Sequence, residues 1–190
     1  MDQRGVPEPD RRYEAYSHPA MRAEVETGND PAEAGDVGQQ WGELAARLRE
    51  STDALRGVAE ASAELWRGGA GDAVRHALTA AAGWADEAAR VSDAVGGSVA
   101  EQAAVAARAR AEMPEPVDYD PAGMIRGAAG SGDIVALIGL SDALAGRRLA
   151  AEVARQRAID VMRARDAGLR AAVPAVGFPD PPPLTARGGG

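Results

Sequence analysis

An all-α fold is what this chain predicts, and three observations carry that reading. The 190 residues are 45% hydrophobic, yet only 4% are aromatic and alanine supplies about half of the apolar set. Such a composition suits close helix–helix packing rather than a sheet sandwich. β-branched residues are too sparse for a β class. Apolar positions recur at helical spacing over long stretches that end in Gly and Pro clusters. Together these predict an elongated antiparallel helical bundle built on two long helices that meet at a bend, Trp66-Arg67-Gly68, with shorter helices C-terminal to them. The length suffices for one domain with a real core.

Residues 1–16 are charged and Pro-bearing and read as a flexible N-terminus. Ser17 followed by His18-Pro19 reads as an N-cap with proline in the first turn, opening a short helix to about Thr27. Gly28-Asn29 stops it, and Asp30-Pro31 repeats the start signal. From there Val37, Trp41, Leu44, Leu48, Ser51, Leu55, Val58, Ser62 and Leu65 alternate spacings of four and three, a heptad seam. A helix over 31–66 would be roughly 50 Å long at about 1.5 Å per residue. Its other face carries Glu43, Arg47, Arg49, Glu50, Asp53, Arg56 and Glu60, as a solvated face should.

Gly68, Gly69 and Gly71 then disfavour helix, each by about 1 kcal/mol against alanine, so the chain should reverse here. Asp72 can cap the next helix, which runs through Val74, Leu78, Trp84, Val91, Val95, Val99 and Val105 to about Glu112, with Gly96-Gly97 as a soft spot inside it. Pro114, Pro116 and Pro121 force a turn, and Asp120-Pro121 starts a short helix around Met124-Ile125. A Gly-Ala-Ala-Gly-Ser-Gly loop at 127–132 follows. The last helical pattern begins at Asp133, bends at Gly139 or Gly146, and continues to about Ala172, where Pro174 closes it. Residues 173–190, Pro-rich and then Gly-rich, read as a disordered tail.

Charge and residue usage exclude several functions. The formal net charge is −8 and the pI about 4.8, so nucleic acid is not an expected partner: binding a polyanion needs a clustered basic face. An anionic lipid surface is disfavoured on the same ground. Without cysteine neither a disulfide framework nor a thiolate site can form. The first 30 residues hold no apolar signal-peptide core, and the longest apolar run, Ile134 to Leu140, falls far short of the roughly 20 residues a membrane span needs. His18 and His76 are the only histidines and sit on different elements, outside any recognised metal pattern. No Gly-x-Ser-x-Gly elbow occurs, and the 127–132 glycines lack the Lys-Ser/Thr and preceding strand of a phosphate cradle. Pairs such as Glu43 and Arg47 read as i, i+4 helix neighbours. The expectation is a protein without catalytic residues, metal or cofactor.

Trp41 and Trp84 each have a plain reading as core-filling residues; their combination says more. Trp41 is followed by Leu44-Ala45-Ala46, the long helix ends at Trp66-Arg67-Gly68, and Trp84 follows 18 residues after Trp66. In these features the chain resembles the PPE-type domain of substrates of the actinobacterial type VII (ESX) secretion system, and in particular the PPE-like half of EspB. Glu26-Thr27-Gly28-Asn29 leading toward Trp41, and Ala70, Ala73 and Ala77 after the motif, add to the likeness, which covers a helical domain over 17–172 and extends to the Pro-rich tail. The resemblance implies a secreted or cell-surface protein, cytoplasmic before export and lacking a cleaved signal peptide. It also implies that Trp66, Gly68, Trp41 and Trp84 carry partner binding and the secretion motif.

Two departures shape what the resemblance implies. The family's export signal, Tyr-x-x-x-Asp/Glu, is missing: four positions after Tyr13, Tyr16 and Tyr119 stand Ser17, Ala20 and Gly123. The N-terminus is also too short for the PE-type hairpin fused to this domain in EspB. A separate small helical PE-like or Trp-x-Gly protein should therefore supply both, with a dedicated cytosolic chaperone before export and homo-oligomerisation after it. Two other readings stand beside this one. The chain could be the N-terminal targeting module of a larger effector, with Gly188-Gly189-Gly190 opening a linker, or an intracellular Ala-rich scaffold that oligomerises through its heptads.

Overall fold

The computed structural model describes residues 11–28, 30–132 and 134–183. It is all-α, as the composition predicts. A 3-10 turn, Tyr13–Ala15, precedes α1 (His18–Glu26), α2 (Pro31–Leu65), α3 (Gly69–Glu112), α4 (Pro121–Ser131), α5 (Ile134–Ile138) and α6 (Leu140–Ala171). No strand occurs among the described residues. By its internal contacts the chain divides into two compact units, one from Met1–Pro31 with Ala104–Ala171 and the other from Ala32–Ala103 with Ala172–Gly190. Helix α3 contributes to both. The C-terminal helices α4, α5 and α6 are all shorter than α2 and α3, although α6 still has 32 residues.

The unit containing α1 and α6 has the conventional core. Tyr13, Met21, Val25, Ala109, Met113, Ala158, Ile159, Val161 and Met162 cluster there, all buried. Local sequence sets the helix ends. Ser17 Oγ accepts from the Ala20 N–H at 3.3 Å, with Pro19 in the first turn of α1, and Asp120 Oδ1 accepts from the Gly123 N–H at 2.9 Å at the start of α4. Both satisfy amides that a helix start leaves unpaired. The stretch 127–132, expected as a loop, is mostly the second half of α4, which ends only at Gly132 in the left-handed region. Two internal glycines there are outweighed by Ala128 and Ala129, good helix formers. Of the two bend sites expected for the last helix, Gly139 is a turn between α5 and α6, and Gly146 lies within unbroken helix. Asp133, the expected start of that helix, lies outside the described residues.

Residues 11–16, expected to be loose, hold the 3-10 turn and bury Tyr13, which is 3% exposed. Tyr13 Oη donates to Asp166 Oδ2 at 2.6 Å, and Arg165 Nη2 donates to Tyr13 Oη at 3.3 Å and to Glu24 at 2.8 Å. Burial works against the Arg165 charge, but its hydrogen bonds to Glu24 and Asp166 outweigh that and its pKa is raised. Burial and the bond to Asp166 push the Tyr13 phenol up to about 12. One network thus ties the N-terminal turn and α1 to α6.

The second unit is a hairpin of α2 and the first part of α3, running antiparallel: Gly38 lies against Gly96 and Ala100, and Thr52 reaches the Ala82 carbonyl at 3.5 Å. Its buried line on α2 is Gly38, Ala45 and Thr52, one residue on from the Val37, Leu44 and Ser51 of the expected seam. Val37, Val58 and Leu65 are exposed, and Ser51 bonds its own helix at Arg47. Opposite lie Ala82, Ala85, Ala88, Ala89 and Ser92, all buried. Small residues take the centre because the backbones approach closely: a Cβ on Gly38 would meet the Gly96 carbonyl oxygen at 3.0 Å, and one on Gly96 would meet the Gly38 oxygen at 2.9 Å. Gly96-Gly97 is therefore a contact point inside continuous helix and not a weak spot. Thr52 and Ser92 bond the Leu48 and Ala88 carbonyls of their own helices, so burying these hydroxyls leaves no polar atom unpaired.

Candidate partner-binding surfaces

The bend between α2 and α3 is fixed by its backbone and leaves its tryptophan outside. Gly68 has φ +92°, a conformation that costs an L side chain about 1–2 kcal/mol. Gly71 is buried, and a Cβ there would lie 2.4 Å from the Trp66 carbonyl oxygen. Helix α2 has no basic residue in its last turn. Arg75, from α3, takes that place: Nη1 donates to the Trp66 carbonyl at 2.8 Å and to that of Ser62 at 3.3 Å, and the guanidinium pairs with Asp72. A cation on the final carbonyls satisfies unpaired acceptors and opposes the helix dipole. Asp72 is therefore inside the first turn, its N–H bonded to the Gly68 carbonyl at 3.1 Å, and α3 starts at Gly69. With its backbone held at both ends, Trp66 remains 57% exposed beside Leu65 at 79%.

Trp41 and Trp84 are placed differently. Both are half-buried on the α2–α3 hairpin, and consecutive residues of the C-terminal segment meet them. Trp84 Nε1–H donates to the Pro179 carbonyl at 3.0 Å, and the Trp41 ring lies 5.9 Å from Phe178, tilted by 33°. Ser98 Oγ donates to the Ala172 carbonyl. Residues 173–183, expected to be disordered, thus form neither helix nor strand but are held to the hairpin at Phe178 and Pro179, while 184–190 lie outside the described residues. Trp66 does not join this pair: just past the end of α2, it stands about 38 Å from Trp41 at about 1.5 Å per residue. The four motif residues divide into an exposed bend and a tail-covered pair.

Residue-by-residue reading missed Phe178, Pro179 and Ser98. One signal was available, since Phe178 is the chain's single phenylalanine and precedes a proline in the tail. Other apolar surface lies on the α1–α6 unit. Ile134 and Ile138 of α5 are exposed, and an open groove of about 540 Å³ is lined by Glu112 of α3 and by Val153, Gln156, Arg157, Asp160, Val161 and Ala164 of α6.

The histidines take separate, ordinary positions. His18 is buried with Nε2 2.9 Å from the Pro114 carbonyl, which makes Nε2 the protonated nitrogen, and His76 is exposed. No group of three metal-ligating side chains occurs among the described residues. None of their helices is long and apolar enough to cross a membrane. No protein-family model and no curated protein matches the chain.

Proposed function

We propose that this chain is a non-enzymatic substrate or component of a type VII (ESX) secretion system, exported as a complex with a small helical PE-like or Trp-x-Gly partner. One observation carries the reading: two long antiparallel helices reverse at Trp66-Arg67-Gly68, with the tryptophan's backbone pinned by Arg75 and its ring left in solvent. An indole that contributes little to its own fold, at a bend built around it, has the character of a recognition residue. The tyrosines support the need for a partner. None begins a Tyr-x-x-x-Asp/Glu signal, and Tyr13 is held inside by Asp166 and Arg165. The export signal then belongs to the partner, whose helices would cover apolar surface such as the α3–α6 groove and the exposed side of α5. Leu65 and Trp66 give a cytosolic chaperone an apolar point to hold before export.

Secretion by an ESX-competent host tests this. Trp66→Ala should abolish appearance of the chain and its partner in the culture filtrate while leaving far-UV helicity unchanged, because the ring buries little of the fold. Wild-type levels of the Trp66→Ala chain outside the cell would remove the role assigned to the bend.

A further inference from the structure

The contacts of the C-terminal segment with the α2–α3 hairpin have the chemistry of a peptide complex. The segment Val176-Gly177-Phe178-Pro179-Asp180-Pro181-Pro182-Pro183 forms neither helix nor strand. Prolines have no N–H to give a sheet, and they pre-order the chain in the polyproline conformation that aromatic-lined grooves recognise. Trp84 supplies the matching donor: its indole N–H meets the Pro179 carbonyl at 3.0 Å. Trp41 supplies the matching face, at 5.9 Å from the Phe178 ring. Ser98 holds the segment's start through the Ala172 carbonyl. Yet Phe178 stays 49% exposed and Val173 and Val176 are similarly open, so the segment rests on the helices without entering a core.

We propose that the α2–α3 hairpin carries a binding site for extended proline-rich segments, in which a Phe-Pro pair seats on Trp41 and Trp84, and that residues 172–183 occupy it in cis. The site exists whether or not the chain is exported. A tethered occupant competes at an effective concentration of about 1 mM. For a segment of about 0.1 mM intrinsic affinity, that masks the site from an outside peptide by about tenfold.

The test uses the full chain and a labelled peptide of the sequence 173–183. In a Phe178→Ala/Pro179→Ala chain the cis occupant loses both anchors, and neither substitution touches the helical core. The peptide should bind this chain about tenfold more tightly than wild type. Because the chain has three tryptophans, its indole N–H resonances report location: those of Trp41 and Trp84 should shift on titration, and that of Trp66 should stay. Adding Trp84→Phe should weaken binding, as should alanine at both anchor positions of the peptide. If the anchor-deleted chain, with wild-type helicity, binds no peptide, or binds it with movement of Trp66 alone, the site does not exist.

Discussion

At the scale of single residues, the hairpin unit depends on side chains that are absent. Alanine at Gly38 or Gly96 would put a methyl about 3 Å from a carbonyl of the facing helix, and rigid backbone cannot yield as a flexible side chain would. Either substitution should cost about 1–3 kcal/mol, the usual range for overpacking. Gly97, one residue away, has open space where its Cβ would be and lies in the same continuous helix. Gly97→Ala should therefore stabilise by about 0.5–1 kcal/mol through helix propensity. Chemical denaturation of the three variants decides the matter: equal effects at 96 and 97 would mean that the helices do not meet at Gly96.

Elements are joined by polar networks as well as by apolar contact, and the turn Tyr13–Ala15 is the clearest case. Its anchor to α6 is the neutral Tyr13 phenol, with a pKa of about 12 against an ordinary value of 10. The folded state holds that proton more tightly than the unfolded chain does. The contribution is thus complete below pH 10 and is lost as pH rises from about 10 to about 12, by about 2–3 kcal/mol. Urea unfolding between pH 9 and pH 11.5 should show that decline, and Tyr13→Phe should flatten it while lowering stability at neutral pH. The helices themselves were legible because their signals are local: Ser17-His18-Pro19 and Asp120-Pro121 each start a helix, and Glu112 ends one. One line of the seam was displaced by one residue because periodicity weights large apolar side chains, while the other line, Trp41, Leu48 and Leu55, is half-buried as expected. The close approach here instead buries Gly38, Ala45 and Thr52 and turns Val37 and Val58 outward. The bend at Trp66 was legible because glycine is needed to leave the helix there, but only Gly68 does so, and Gly69 and Gly71 already belong to α3. The partner of Trp41 and Trp84 was not. Proline-rich composition says only that a segment cannot bury itself, and leaves open which distant indole N–H will hold it.

For the molecule as a whole, the two units differ in what stabilises them. One is an alanine and glycine hairpin, and the other packs Met, Ile and Tyr around a buried arginine network. Packing so different should give different intrinsic stabilities, so a single unfolding transition requires coupling. Helix α3 provides it, because its 44 residues run unbroken from one unit into the other across Ala103 and Ala104. Proline at 104 would remove the amide that bonds the residue 100 carbonyl and place its ring against that carbonyl, costing about 3 kcal/mol or more in a helix interior. The cost should fall mainly on the coupling, since Ala104 is only half-buried and belongs to neither the Gly38–Gly96 contact nor the Met162 cluster. Wild-type protein should then melt in one calorimetric transition, and the Ala104→Pro chain in two, the Tyr13–Asp166 unit marking one and the indole signals of Trp41 and Trp84 the other. Two transitions already in the wild type would show that a continuous helix alone does not make the units cooperative. One transition in the proline variant would place the coupling outside α3.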